Sequence, residues 1–332
     1  MVFIYFLLAA AVTVFAAIKL SQYADVISEK SAMGGMMVGT LLLAGATSLP
    51  EISTSFSAAA IGNADIAVGN MIGSNLFNLF ILAGFDLLLN RRRMLERASK
   101  DHTYSSLLGI FLTVLLLLAL WLRTDVTFLG IGLDSLAIGI SYIVGMLIIN
   151  KLPNLDTVDM DDEPVDAKAP KNPSAHLSPK HAGLRFAVVA VIIMAAGTAL
   201  SITGDEIAVV TGIGSSFVGS FLVAAATSLP EAISVFVALR LSNVNMAVGA
   251  VLGSNIFNMV ILALSDPIYV EGSIISGVSG ANIIIASAVL VMSVLVMFSL
   301  FRPKTPSTWA YSVPSILVVL LYFVASYLNF TY

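Results

Sequence analysis

VGTLLLAGATSLPEISTSFSAAAIGNADIAVGNMIGSNLFNLFILA, residues 38–83, recurs as VGSFLVAAATSLPEAISVFVALRLSNVNMAVGAVLGSNIFNMVILA, residues 218–263. The two stretches align without a gap and agree at about half of their positions, and self-similarity at a fixed spacing marks architecture. One unit has been duplicated.

The chain around this repeat is 58% hydrophobic and 11% charged, with a mean hydropathy of +0.97. Soluble chains carry about 25% charged residues. The charges are also segregated, leaving apolar blocks of about 20 residues, the length a helix needs to cross the hydrocarbon core. This composition excludes the soluble classes and reads as an all-α integral membrane protein. No cysteine occurs, so disulfides and thiolate metal sites are excluded. The net charge of -4 is uninformative about partners, and no basic stripe with interleaved aromatics points to nucleic acid.

Ten spans are expected, two sets of five. The first five are 1–20, 34–60 (interrupted at Thr47-Ser48-Leu49-Pro50-Glu51), 66–90, 105–122 and 126–150. The second five are 185–203, 207–239, 246–265, 280–301 and 309–329. Residues 1–150 and 183–332 thus form two five-helix units, joined by a polar linker over 151–182. The linker's acidic run (Asp156, Asp159, Asp161, Asp162, Glu163) lacks the glycine and terminal glutamate of a calcium loop and reads as solvated. Arg91, Arg92, Arg93, Arg97 and Lys100 follow the third span, and Arg240, Arg302 and Lys304 fall on the same side. The positive-inside tendency makes that side cytoplasmic. Gly204-Asp205-Glu206 and residues 266–272 then lie outside, as do both termini. Five crossings separate the repeats, and an odd number inverts the second against the first, the build of many secondary transporters.

A charged residue at a span's centre costs about 2.5 to 3.5 kcal/mol on insertion scales and by default marks a functional site. Glu51 and Glu231 are the two such residues. Pro50 and Pro230 remove an amide donor and disturb the carbonyls of Ala46 and Ala226, and a freed carbonyl inside a membrane needs a partner, such as a cation. Thr47 and Ser48 share a helix face with Glu51, as Thr227 and Ser228 do with Glu231. In the next span Ser74 with Asn78, and Ser254 with Asn258, repeat the i, i+4 spacing, while Gly73 and Gly253 allow close backbone approach. Hydroxyls and amides in membrane helices most often only bond a neighbouring helix. Here a buried glutamate, a break and a Ser/Asn face occur together, twice. Oxygen-only donors suit calcium, sodium or magnesium and disfavour zinc or copper. Asn75, Asn255, Asn63 and Asn243 read as packing or capping residues. Asp86 and Asp266 read as solvated or associated with a gate near an interface, and His102, His176 and His181 as loop residues in solvent.

TSLPE followed by GSNxFN resembles the cation/calcium antiporter superfamily, most closely its prokaryotic sodium/calcium exchanger branch. The resemblance implies a ten-helix fold with broken helices 2 and 7, and a functional monomer in a prokaryotic plasma membrane, in contact with lipid and inorganic cations. It also implies transport of Ca2+ and Na+ without a cofactor, by alternating access, with the first and sixth helices sliding past the core. The implied ligands are Thr47, Ser48, Glu51, Ser74 and Asn78, then Thr227, Ser228, Glu231, Ser254 and Asn258, with the carbonyls of Ala44 and Ala224. Many relatives carry Asp where this chain has Asn258. Two carboxylates give a fixed charge of -2, matching one calcium or two sodium ions, so two-for-one exchange is expected, or else a different coupling ion or cargo. The alternative is a proton-coupled exchanger of Ca2+ or another divalent cation such as Mg2+ or Mn2+, with Glu51 and Glu231 as proton carriers. A passive channel would need no counter-ion. An enzyme would need a nucleophile or metal motif, and neither GxSxG nor HExxH occurs.

Overall fold

The fold was taken from a computed structural model that describes residues 1–30, 47–89, 93–153, 172–240, 243–303 and 305–332. The first half of the second span with Ala44, Arg91, Arg92, Lys304 and the acidic run of the linker lie outside the described residues. The helices are α1 (Val2–Lys30), α2 (Leu49–Ala60), α3 (Ala64–Leu88), α4 (Met94–Arg97), α5 (His102–Leu122) and α6 (Leu133–Ile149). They continue with α7 (Pro179–Thr211), α8 (Ser215–Arg240), α9 (Val244–Ser265), α10 (Ala281–Phe301) and α11 (Thr308–Thr331). Eight of these are long and apolar enough to cross a membrane. With α2 and the 17-residue α6, they fill the ten positions read from the sequence.

Burial sorts the helices into layers. The most apolar window of α3 is 83% buried and that of α9 61%, against 33% for α1 and α7 and 28% for α11. The repeat helices therefore form the centre, and α1 and α7, packed along each other, present apolar side chains to the bilayer.

Side-chain bonds across the centre give the relative direction of the halves. Asn78 Nδ2 donates to Asn255 Oδ1 (3.0 Å) and Asn258 Nδ2 to Asn75 Oδ1 (2.9 Å). Residue 75 thus meets 258 while 78 meets 255, so α3 and α9 run antiparallel. The same offset of 180 residues recurs far outside the quoted stretches. Asp65 Oδ1 accepts from Ser279 N (2.8 Å), and Asn245 Oδ1 accepts from Ser99 N (2.7 Å). Thr305 Oγ1 donates to Glu96 Oε1 (2.6 Å), and in the mirror position Ser276 Oγ donates to Asp125 Oδ1 (3.3 Å), the acid and the hydroxyl exchanged. Burial pushes the Glu96 carboxyl up, but the hydroxyl and amide of Thr305 and the nearby Arg93 outweigh it and hold the group below its usual value.

Several expectations change. Asp86 and Asp266 are fully buried. Asp86 accepts from the Tyr311 hydroxyl, from Ser315 Oγ at 2.6 Å and from Leu95 N at 3.4 Å; Asp266 accepts from Gly132 N and from Ile274 N at 2.6 Å. Each carboxylate anchors the chain beyond its own helix, because loop amides and hydroxyls rather than water satisfy it. The fifth span opens with a hairpin, Thr127–Phe128 against Ile131–Gly132, whose turn residues Leu129 and Gly130 both have positive φ. Asp205 and Glu206 lie inside α7, not in a loop: Gly204 is tolerated within the helix, which ends at Gly212 in the left-handed conformation. The end of the linker is docked rather than free. Asn172 Nδ2 donates to Gln22 O (2.8 Å), and Leu177 packs with Val26 and Ala182, because Ser178 and Pro179 start α7 here. His102 and His181 sit in the first turns of α5 and α7, His102 partly buried, and only His176 stays in a turn.

The antiparallel halves place the ends of α3 and α9 on opposite membrane faces. Single cysteines at Arg97 and Val270, introduced into this cysteine-free chain, are therefore expected to react with an impermeant thiol reagent from opposite sides of sealed vesicles. Labelling of both from one side would contradict the inverted arrangement.

Candidate functional site

Irregular backbone positions both glutamates. Ser48, near φ -90° and ψ 3°, caps α2, and Pro50 sits in the first turn, where no amide is needed. That puts Glu51 at the positive end of the helix, 2% exposed. In the second repeat the irregularity lies upstream, as a π-helical turn over Val218–Val223, and Pro230 falls within the continuing helix. Glu231 is 6% exposed. The π-turn lies against α3 in backbone contact: a Cβ on Gly73 would overlap the backbone of Ser220, and one on Gly219 that of Ile66. A Cβ on Gly253 would meet nothing within 4 Å among the described residues, which do not include 38–43, the first-repeat counterpart of the π-turn.

Two of the motif hydroxyls reach across the repeats. Ser228, expected beside Glu231, donates to Glu51 Oε1 at 3.2 Å. Thr227 Oγ1 lies 3.1 Å from Asn70 Oδ1 and 3.2 Å from Ala224 O. The packing asparagines are the frame of the centre: Asn75 Nδ2 donates to Asn255 O (3.1 Å) and Asn255 Nδ2 to Asn75 O (3.3 Å). Their side-chain carbonyls take the amide hydrogens of Asn258 and Asn78. Asn63 and Asn243 cap α3 and α9, accepting from Ile66 N and Met246 N, each at 2.9 Å.

What remains is a set of buried oxygens. Among the described residues, Glu51 Oε2, Glu231 Oε2, Ser74 Oγ and Asn258 Oδ1 are buried without a hydrogen-bond partner. Ser48, Thr227 and Ser228 are buried as well, while Thr47 and Ser254 are only partly so. Carboxylate, amide and hydroxyl oxygens in this state offer hard donors to a cation. Asn70, fully buried on the α3 face of Ser74 and Asn78, escaped the reading of the sequence because Ala250 stands in its place in the second repeat. The i-4 spacing from Ser74 was its only signal.

A membrane protein of two inverted halves with irregular helices meeting at its centre is built as a secondary transporter. The model of the sodium/calcium exchanger protein family matches residues 1–150 and 181–331, leaving out the linker, and the chain belongs to that family of cation/calcium antiporters. The inner membrane protein YrbG of Escherichia coli (strain K12) is 26% identical over 256 residues, 75% of this chain and 74% of that one. The solved H+/Ca2+ exchanger CAX superimposes with a TM-score of 0.65 at 15% identity, covering 99% of this chain and 89% of that one. The sodium-calcium exchanger NCX_Mj does so with a TM-score of 0.57 at 23% identity, covering 98% of each. These likenesses establish a shared fold.

Replacing Asn255 by Ala removes the acceptor for Asn78 and leaves buried groups unpaired, a loss of about 1–3 kcal/mol. A lower melting temperature in detergent micelles is expected; an unchanged one would mean that the asparagine frame does not hold the halves together.

Proposed function

We propose that this chain exchanges Na+ for Ca2+ by alternating access, at a midplane site between the repeats. The observation that carries the reading is the pair of buried carboxylates, each with one oxygen unpartnered among the described residues. An ionised carboxylate kept from water needs a positive partner, and the described residues around it contribute hydroxyls, amides and carbonyls. A cation that enters, sheds water onto these oxygens and leaves on the other side is the partner that makes such a site useful. The ligand set is Glu51, Glu231, Asn78, Asn258, Thr47, Ser48, Thr227, Ser228, Ser74 and Ser254, with backbone carbonyls of Ala44 and Ala224.

Asn258 in place of a third carboxylate makes the site symmetric in charge. One Ca2+ or two Na+ neutralise its two carboxylates, so a cycle of two sodium ions for one calcium moves no net charge. The protein works as a monomer, with both termini outside the cytoplasm and the basic ends of α3, α8 and α10 inside, next to anionic lipid headgroups.

Purified protein in liposomes loaded with sodium is expected to accumulate labelled calcium at constant pH, and Glu51→Gln and Glu231→Gln each to reduce that uptake to background. Coupled uptake that survives in both variants would overturn the site assignment. Uptake driven by a pH gradient and indifferent to sodium would transfer the chain to the proton-coupled exchangers. With the potential clamped, the rate of uptake is expected to vary little with voltage; a steep dependence would refute two-for-one exchange.

A further inference from the structure

The two halves of the site share their motif residues but not the residues behind them. Asn70 is fully buried in α3 and has side-chain partners on both sides. Its Nδ2 donates to Ser55 Oγ at 3.0 Å, and Ser55 Oγ spends its own hydrogen on Ala67 O at 3.1 Å. Ser55 can therefore only accept from Asn70, and the orientation of the carboxamide is fixed with Oδ1 toward Thr227 Oγ1, 3.1 Å away. The Thr227 hydroxyl has one hydrogen and three acceptors around it: Asn70 Oδ1, its own helix's Ala224 O at 3.2 Å and the Glu51 carboxylate. In the other repeat the equivalents of Asn70 and Ser55 are Ala250 and Val235, whose side chains can neither accept nor donate.

We propose that Asn70 is a positioning residue that draws the Thr227 hydrogen away from the Ala224 carbonyl and the Glu51 carboxylate, so that these oxygens and the Thr227 lone pairs are presented together to the cation. The proposal rests on the reading that Thr227 and Ala224 belong to the cation site. A hydroxyl that donates to Ala224 O occupies a lone pair of the carbonyl; one that donates to Asn70 leaves both oxygens electron-rich on the same side. The device serves only the half of the site built by α8, so two motifs of identical sequence differ in their hold on the ion. Asn70 and Ser55 thereby give the second repeat's ligands a preorganised geometry.

The test is a double-mutant cycle read as the apparent KM for calcium and the maximal rate of sodium-driven uptake in proteoliposomes. Asn70→Ala is expected to raise the calcium KM about tenfold, the scale of one hydrogen bond, with little change in maximal rate. Combined with Thr227→Val it should add nothing beyond Thr227→Val alone, whereas combined with Thr47→Val the two effects should multiply. Multiplication with Thr227→Val as well, or an unchanged KM in Asn70→Ala while Thr227→Val raises it, would overturn the role. A Thr227→Val variant with the parent's KM would instead remove Thr227 from the site, and the inference with it. Should Asn70→Ala not be recovered folded, Ser55→Ala keeps the test open. It frees the carboxamide to turn, and is expected to raise KM in the parent but not in the Thr227→Val background; a rise in both would overturn the proposal.

Discussion

The reciprocal hydrogen bonds of Asn75 with Asn258 and of Asn78 with Asn255 are the interaction on which the rest of the molecule depends. A carboxamide in the interior of a membrane protein has both donors and acceptors to satisfy, and lipid offers none. Each repeat can meet that demand only with the other, so neither α3 nor α9 is complete alone. Their direction, their register and the backbone-to-amide contacts at 3.1 and 3.3 Å follow from one requirement. The same bonds engage one amide hydrogen each of Asn78 and Asn258 and turn their NH2 groups toward the frame. Their carbonyl oxygens are left to offer, and Asn258 Oδ1 is buried without a partner among the described residues.

The staples at the two ends of the bundle extend that symmetry while relaxing its chemistry. At one end a glutamate accepts from a threonine; at the other a serine donates to an aspartate. Asp65 and Asn245 each receive the amide of a serine from the loop that leads into a later helix. The backbone arrangement has been kept because each staple needs one donor and one acceptor, whichever residue supplies them. At the centre the constraint is tighter, and there the residues themselves are retained. The exception is the set behind Thr227, where Asn70 and Ser55 face Ala250 and Val235 in the other half.

Much of this was legible in the sequence. Hydropathy and the odd number of crossings gave the inverted architecture, and a glutamate beside a proline inside an apolar span pointed to the two acids. The capping role of Asn63 and Asn243 was readable from their place before a helix. Less was legible where partners are distant in the chain. Asp86 and Asp266 looked solvated because nothing local announces that Tyr311, Ser315, Gly132 and Ile274 converge on them. Ser228 looked like the companion of Glu231, yet bonds Glu51, because an antiparallel pair exchanges its neighbours. Asn70 carries no duplicated signal, because Ala250 stands in its place in the second repeat, and its importance lies in what the repeats do not share.

Equilibrium binding of labelled calcium to the purified protein in detergent bears most directly on the claim that one cation sits between Glu51 and Glu231. One calcium per chain, displaced by sodium and lost in the Glu51→Gln/Glu231→Gln double variant, is the predicted result. Undiminished binding in that variant, with the protein still folded, would contradict it.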